Sequence, residues 1–359
     1  MTKKFGIIGC GMIAGFHAKA IQSAGGILAA CFDQVPQAAE RLAKETGCKP
    51  YRDLKTFLAD SDIEIVTIGT PSGAHFEPAL AAAEAGKHLI IEKPLEITLA
   101  RCDEIIARCQ KAKVLLSTVF HSRFHDSSLA LKRAIDSGRF GRLTLGDAIV
   151  KWYRTQEYYD SGAWRGTWEL DGGGALMNQA IHSIDLLTWL MGPVVEVTAQ
   201  TALLAHERIA VEDTATATLR FANGALGTIV GSTASYPGYL KRFEISGSKG
   251  SSVIEEEDII KWDFAVSADE DATIREKMTQ RHSSGGGAAD PAAISYMGHA
   301  KLFKNMIDAI DGKEKLVVDG TEGRRSTEII LAVYHSAETG RVVKLPLAAD
   351  PALKARATV

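Results

Sequence analysis

The chain has 359 residues, with 46% hydrophobic and 24% charged residues, the composition of an ordinary globular protein long enough for two domains. Its formal net charge of −3 gives no electrostatic case for nucleic acid or an anionic membrane. No apolar run nears the ~20 residues of a membrane span.

The pattern begins with a buried strand over residues 4–9 and a helix over 12–24. Lys3 and Lys4 before this apolar stretch imitate a short signal peptide, and Ile7 to Cys10 imitates a lipoprotein box. The four glycines within residues 5–15 suit a strand and a Gly-rich turn better. A second strand over 27–32 ends at Asp33. A helix over 36–46 has Pro36 in its first turn and Gly47 after its end. Strands over 63–68, 88–91 and 114–120 alternate with helices over 75–85 and 98–111. This alternation predicts a doubly wound, mostly parallel Rossmann sheet over residues 1–121.

The pattern changes after a helix over 127–137. Segments 143–153, 194–205, 211–221, 225–235, 242–246 and 251–256 are alternating or β-branched, with Asn223-Gly224 as a hairpin turn. They predict an α+β domain over 122–347 with a large open, mostly antiparallel sheet. One long helix over 175–191 interrupts the strands. The open sheet face should be apolar and suited to a homodimer or homotetramer. Residues 265–293 read as a loop, with Gly285-Gly286-Gly287 and Asp290-Pro291. Amphipathic helices over 294–310 and 321–339 follow, and 348–359 is a tail. The five cysteines, Cys10, Cys31, Cys48, Cys102 and Cys109, are odd in number and lack CxxC spacing. That argues against a disulfide framework or structural zinc and for a reducing cytoplasm.

Gly9-x-Gly11-x-x-Ala14 follows a strand and opens a helix, with Met12 and Ile13 in the turn. The first glycine permits the turn, the second lets backbone approach a pyrophosphate, and the small third residue lets helix and strand pack. The phosphates would meet the helix N-terminus. Asp33 stands where an acid hydrogen-bonds the ribose 2′-hydroxyl. It would repel a 2′-phosphate, so NAD is favoured over NADP. The competing account is a glycine turn in an unrelated α/β protein, with Asp33 as a helix cap. Thr70-Pro71-Ser72 would run along the nicotinamide half, and His75 is a further cofactor candidate. Glu92-Lys93-Pro94 ends a later strand of the same sheet, where open α/β sheets place ligands. Glu92 and Lys93 are therefore counted among the cofactor contacts. Pro94 stops the strand and presents Lys93.

Gly9 to Ala14, Thr70-Pro71 with His75, Glu92-Lys93-Pro94 and the run from Gly172 to Asp185 together resemble the glucose–fructose oxidoreductase/inositol dehydrogenase (Gfo/Idh/MocA) family, from residue 4 to about 347. The resemblance implies an N-terminal NAD(P)-binding Rossmann domain and a second domain that carries substrate and often the subunit contact. It implies oxidation or reduction of a hydroxyl of a sugar or cyclitol, with Lys93 as the catalytic lysine and His182 as acid/base. The chemistry agrees: an ammonium beside the carbinol oxygen stabilises developing alkoxide, and an imidazole takes the proton near neutral pH. The bland alternatives are a surface lysine at a strand end and a buried helix histidine. Many members carry Asp where this chain has Asn178, four residues before His182. An amide orients a partner but takes no proton. Asp185 is a partial substitute or a structural partner of the helix.

Trp152, Tyr153, Tyr158, Tyr159, Trp164 and Trp168 crowd one segment with Arg154 and Arg165. Aromatic faces suit the C–H faces of sugars, and core packing explains the segment equally well. Tyr153, Trp164, Arg165 and Arg123 join Lys93, Asn178 and His182 as substrate candidates. No metal is expected, and a His121/His125/His182 set lacks ligand company. The leading function is an NAD-dependent dehydrogenase acting on a sugar, sugar derivative or cyclitol. The alternatives are an NAD-assisted glycoside hydrolase working by transient oxidation and elimination, and a non-catalytic NAD/sugar sensor.

Overall fold

The computed structural model describes residues 2–279 and 295–353. Two compact units emerge: Met1–His121 with Ser295–Thr327, and Ser122–Ile294 with Glu328–Val359.

The first unit alternates β1 (Lys4–Ile8), α1 (Met12–Ser23), β2 (Ile27–Phe32), α2 (Pro36–Thr46), β3 (Lys49–Tyr51), α3 (Leu54–Leu58), β4 (Ile65–Ile68), α4 (Phe76–Glu84), β5 (His88–Ile91), α5 (Leu99–Ala112) and β6 (Leu116–Thr118). The sheet order is β3-β2-β1-β4-β5-β6, with all neighbours parallel. Every residue of β4 is buried, as a strand covered on both faces requires. The order reverses between β1 and β4, so the carboxyl ends of these strands open the crevice in which such sheets hold ligands. Gly47 closes α2 in the left-handed region, at φ 78°, where glycine has no Cβ penalty. Strand β3 and helix α3 left little trace in the sequence. Lys-Pro-Tyr has no apolar alternation and pairs only at the sheet edge, where proline is tolerated.

The second unit contains α6 (Asp126–Asp136), β7 (Leu143–Lys151), α7 (Gln156–Asp160), a π-turn (Ala175–Ala180), α8 (Ile181–Met191), β8 (Val194–Ala202), β9 (Thr214–Phe221), β10 (Leu226–Ser232), β11 (Arg242–Gly247), β12 (Gly250–Glu255), β13 (Asp258–Phe264) and α9 (Glu270–Thr279). After these come α10 (Met297–Ile310), α11 (Gly320–Thr339) and β14 (Val343–Lys344). The sheet order is β13-β12-β11-β7-β10-β9-β8-β14. Its pairings are antiparallel except β7 with β10. Gly146 and Gly231 sit inside strands because a Cβ there would meet Leu187 of α8 and Leu176 of the π-turn at 2.9 and 2.7 Å. Glycine therefore lets helix approach sheet.

Three expectations are corrected here. The helix expected over 175–191 is π-wound up to Ala180 and α-helical from Ile181. The loop expected from residue 265 contains α9, held to the sheet where Trp262 Nε1 donates to Asp271 Oδ1 at 2.7 Å; Gly285–Gly287 and Asp290-Pro291 lie outside the described residues. The open sheet face is mixed rather than apolar. Leu145 lies beside Leu226 and Ile149 beside Val230, but Thr228 donates to Asp147 between them and Arg220 pairs with Glu196.

Residues 295–327 pack with the first unit, although they fall within the span 122–347. There α10 lies against α1, and Phe303 stacks on Phe5 with ring centroids 5.7 Å apart. Among the described residues, no helix is long and apolar enough to cross a membrane.

Candidate active site

The first unit builds a cradle from its opening turn. Gly9 has φ +90°, and a Cβ on it would lie 2.7 Å from the backbone of Gly69 and Thr70, so only glycine fits. Gly11 begins α1 without a side-chain cap, and a Cβ there would meet nothing within 4 Å. The start of α1 is thus open at Gly11, and a helix start of this kind is where a pyrophosphate binds. Met12 is exposed at its rim, Ile13 half-buried and Ala14 fully buried. Asp33 Oδ2 accepts from Cys10 N at 2.7 Å and Oδ1 from Val35 N at 2.8 Å. The half-buried carboxylate therefore ties the glycine turn to the end of β2 and keeps lone pairs for ribose hydroxyls. Thr70 donates to Ala74 O at 3.0 Å, and Pro71 is half-buried beside it. These residues fit NAD.

Two cofactor candidates point inward instead. His75 is fully buried, with Nδ1 2.9 Å from Pro94 O and Nε2 3.1 Å from Thr70 O. Burial lowers its pKa, and a neutral ring has one N–H to give. It braces the Thr70-Pro71 loop against the Lys93-Pro94 turn rather than contacting a ligand. Glu92 is also buried. Its Oε1 lies 2.9 Å from His17 Nε2, and its Oε2 accepts from Lys93 N at 3.1 Å. Since a carboxylate only accepts, His17 Nε2–H donates, and its Nδ1 lies 2.9 Å from Thr67 Oγ1. Burial alone would push Glu92 up. The His17 hydrogen bond and the charges of His17, His299 and Lys93 overcome it and hold the carboxyl down at about 2. Donor atoms of His17, Glu92 and His299 lie within 4.8 Å of one another, a metal-ligand spacing. The 2.9 Å His17–Glu92 separation is that of a hydrogen bond, so the set works as a proton-bonded tie from α1 and β4 to Lys93. Lys93 itself is half-buried.

The second unit gathers its own set. The half-buried Asn178 donates from Nδ2 to Asp171 Oδ1 at 2.6 Å, and Gln179 Nε2 donates to Asn178 Oδ1 at 3.2 Å and to Tyr158 Oη at 3.1 Å. Arg165 donates to Tyr158 Oη at 2.6 Å and lies over the Tyr158 and Trp164 rings at 4.2 and 4.5 Å. Arg154 donates to Gln179 Oε1 at 3.0 Å, and burial lowers its pKa. Trp164, Arg165 and Asn178 therefore meet in one network. Tyr153 packs edge-on to Tyr236 at 5.3 Å, beside that network. The aromatic segment divides: Trp152, Tyr159 and Trp168 are core, while Tyr153, Tyr158 and Trp164 are half-buried. His182, half-buried, is the second residue of α8, and the π-winding before it is common at functional sites.

Arg123 is corrected from a substrate contact to a structural one. It is 1% exposed, and its Nε and NH2 donate to Asp185 Oδ2 and Oδ1 at 2.7 and 2.6 Å. Asp185 is thereby a structural partner that holds Arg123 to α8.

Sequence reasoning passed over His17, His299, Asp171 and Glu212. The histidines sit among the buried residues of α1 and α10. Glu212 accepts from Gly174 N and Leu176 N at 2.9 Å and from Tyr334 Oη at 3.0 Å. A Cβ on Gly174 would fall 1.7 Å from Glu212 O, and one on Gly173 2.2 Å from Tyr334 Oη. The glycine run therefore exists to let this backbone pass, and the run itself was the available signal.

A Rossmann sheet with a phosphate-ready helix start, paired with a large mixed sheet, defines a dinucleotide-dependent oxidoreductase. The sequence model described as "Oxidoreductase family, NAD-binding Rossmann fold" matches residues 3–120, and that of the "GFO/IDH/MocA C-terminal domain" matches 128–253. The myo-inositol 2-dehydrogenase of Thermotoga maritima is 30% identical, over 95% of this chain and 98% of that protein. The inositol 2-dehydrogenase of Rhizobium meliloti is 31% identical, over 74% and 79%. The WlbA dehydrogenase of Bordetella pertussis, solved with NADH and UDP-GlcNAcA, superposes with a TM-score of 0.88 at 36% identity, covering 96% of this chain and 98% of that one. The chain belongs to the Gfo/Idh/MocA oxidoreductase family. It is an NAD-dependent dehydrogenase of CH–OH groups.

Proposed function

We propose that the substrate is an acidic sugar, with UDP-GlcNAcA, the ligand bound by WlbA, as the first candidate. Arg165 carries this reading. It is half-buried, with its guanidinium on Tyr158 and Trp164, and it has no carboxylate partner among the described residues. A sugar carboxylate or phosphate would complete its hydrogen bonding bidentately, while the rings suit a sugar face.

NAD, when bound, supplies the hydride acceptor. Lys93, with its backbone fixed by Glu92, stabilises the oxygen as alkoxide character develops. His182 takes the hydroxyl proton, and Asn178 orients the reacting hydroxyl. A second reading, a neutral cyclitol, is supported by the inositol dehydrogenase relatives. NADH formation with UDP-GlcNAcA and with myo-inositol, in wild type and Arg165→Ala, separates the two. On the acidic reading, the variant raises KM for UDP-GlcNAcA by about tenfold or more, the scale of one charged hydrogen bond. Unchanged KM excludes it. We further propose cytoplasmic residence, supported by five free, buried cysteines, with fractionation as the check. Assembly as a homodimer or homotetramer through the open sheet face completes the proposal. Glutamates at Leu145 and Leu226 should lower the mass seen by light scattering.

A further inference from the structure

Asn178 is neutral, yet an imidazole that gains a proton is favoured by a nearby negative charge. The carboxylate that touches this side chain is Asp171. It is 2% exposed and sits seven residues upstream, before the glycine run. Its Oδ2 accepts from Gly166 N at 2.9 Å and its Oδ1 from Asn178 Nδ2 at 2.6 Å. The glycine run is what brings it there: Gly172 has φ +79°, and no side chain fits at Gly173 or Gly174. The chain thus doubles back and lays Asp171 on the π-turn.

Because a carboxylate has only acceptors, Asp171 also decides which way the Asn178 amide faces. Nδ2 must turn to Asp171, which leaves Oδ1 on the side of Gln179 Nε2, 3.2 Å away. His182 follows Asn178 by four residues, about one turn of a helix that is π-wound before Ile181.

We propose that Asp171 is a positioning residue for the reaction: it fixes the Asn178 amide and supplies, one hydrogen bond behind it, the negative charge that position 178 lacks. This deepens the functional reading above and rests on Asn178 and His182 belonging to the site.

A swap tests it. Asp171→Asn leaves two amides and no charge. Asn178→Asp alone sets two carboxylates face to face. The double variant D171N/N178D restores one donor, one acceptor and one charge with the polarity reversed. Asp171→Asn should lower kcat by about tenfold or more with KM nearly unchanged. Asn178→Asp should be similarly impaired, and the double variant should recover to within about threefold of wild type. Wild-type kcat in Asp171→Asn, or a double variant no better than that single, overturns the proposal. If Asp171→Asn fails to fold, an active double variant supports the proposal and an unfolded one overturns it.

The same proteins give a double-mutant cycle in denaturation midpoint that needs no substrate. Zero coupling there overturns the contact. Intact coupling, with a wild type inactive on every sugar, condemns the functional reading and supports the Asp171–Asn178 tie.

Discussion

Arg123→Ala is the sharpest test of how the second unit holds its helix. Arg123 and Asp185 are 1% and 0% exposed, and both charged N–H···O contacts are 2.7 Å or shorter. The guanidinium also lies 5.3 Å from the Trp189 ring. Removing it leaves a carboxylate buried within α8, two turns before that helix ends. Breaking a pair of this kind by deleting one partner costs about 3–5 kcal/mol, most of it the uncompensated charge. Replacing both partners with apolar residues of similar volume is close to neutral by the same reasoning, so Arg123→Met/Asp185→Leu should lie within about 1–2 kcal/mol of wild type. Urea titration of wild type, single and double variants reads the difference. A loss below about 1 kcal/mol in Arg123→Ala would mean that Asp185 is hydrated without its partner, and it would refute the reasoning.

Two further outcomes follow from the electrostatics. Burial pushes Glu212 up from 4.5 to about 7, so its neutral form is favoured by folding. That contribution is whole below about pH 4.5 and lost as pH rises through about 7, on the order of 3 kcal/mol in all. Wild type should therefore lose denaturation midpoint relative to Glu212→Gln between about pH 5 and about pH 8, and a constant difference would contradict the shift. Asp33→Ala should weaken NADH binding by about tenfold or more, since it removes a charged acceptor and frees Cys10 N and Val35 N. Fluorescence titration checks this, and unchanged affinity would remove Asp33 from the cofactor site.

Much of the first unit was legible from residues alone. Apolar runs such as Ile65–Ile68 are long enough to be strands, and Pro36 and Gly47 punctuate α2 with the chemistry that starts and stops helices. What stayed hidden was side-chain direction. Glu92 and His75 stand at strand and loop ends where ligands bind, but spacing along the chain does not tell inward from outward. Glu92 turned toward His17, 75 residues away in sequence, and His75 toward the carbonyls on either side of it. The π-winding at Ala175–Ala180 was invisible because it interrupts no apolar pattern: Ala175, Leu176, Met177 and Ala180 are all buried. Arg123 stood among the substrate candidates, and nothing local marked its partner Asp185, which lies 62 residues on. Asp171 stands just before the glycine run and was passed over. Its role depends on a fold-back that only the clash distances at Gly173 and Gly174 reveal.

The most direct measurement of the central claim is NADH formation by the purified protein with NAD and UDP-GlcNAcA, myo-inositol or neutral sugars, in wild type and Lys93→Ala. The account predicts NADH with the acidic sugar nucleotide and its loss, by about a hundredfold or more, in Lys93→Ala. NADH formation that survives Lys93→Ala, or none with any substrate despite NAD binding, would contradict it.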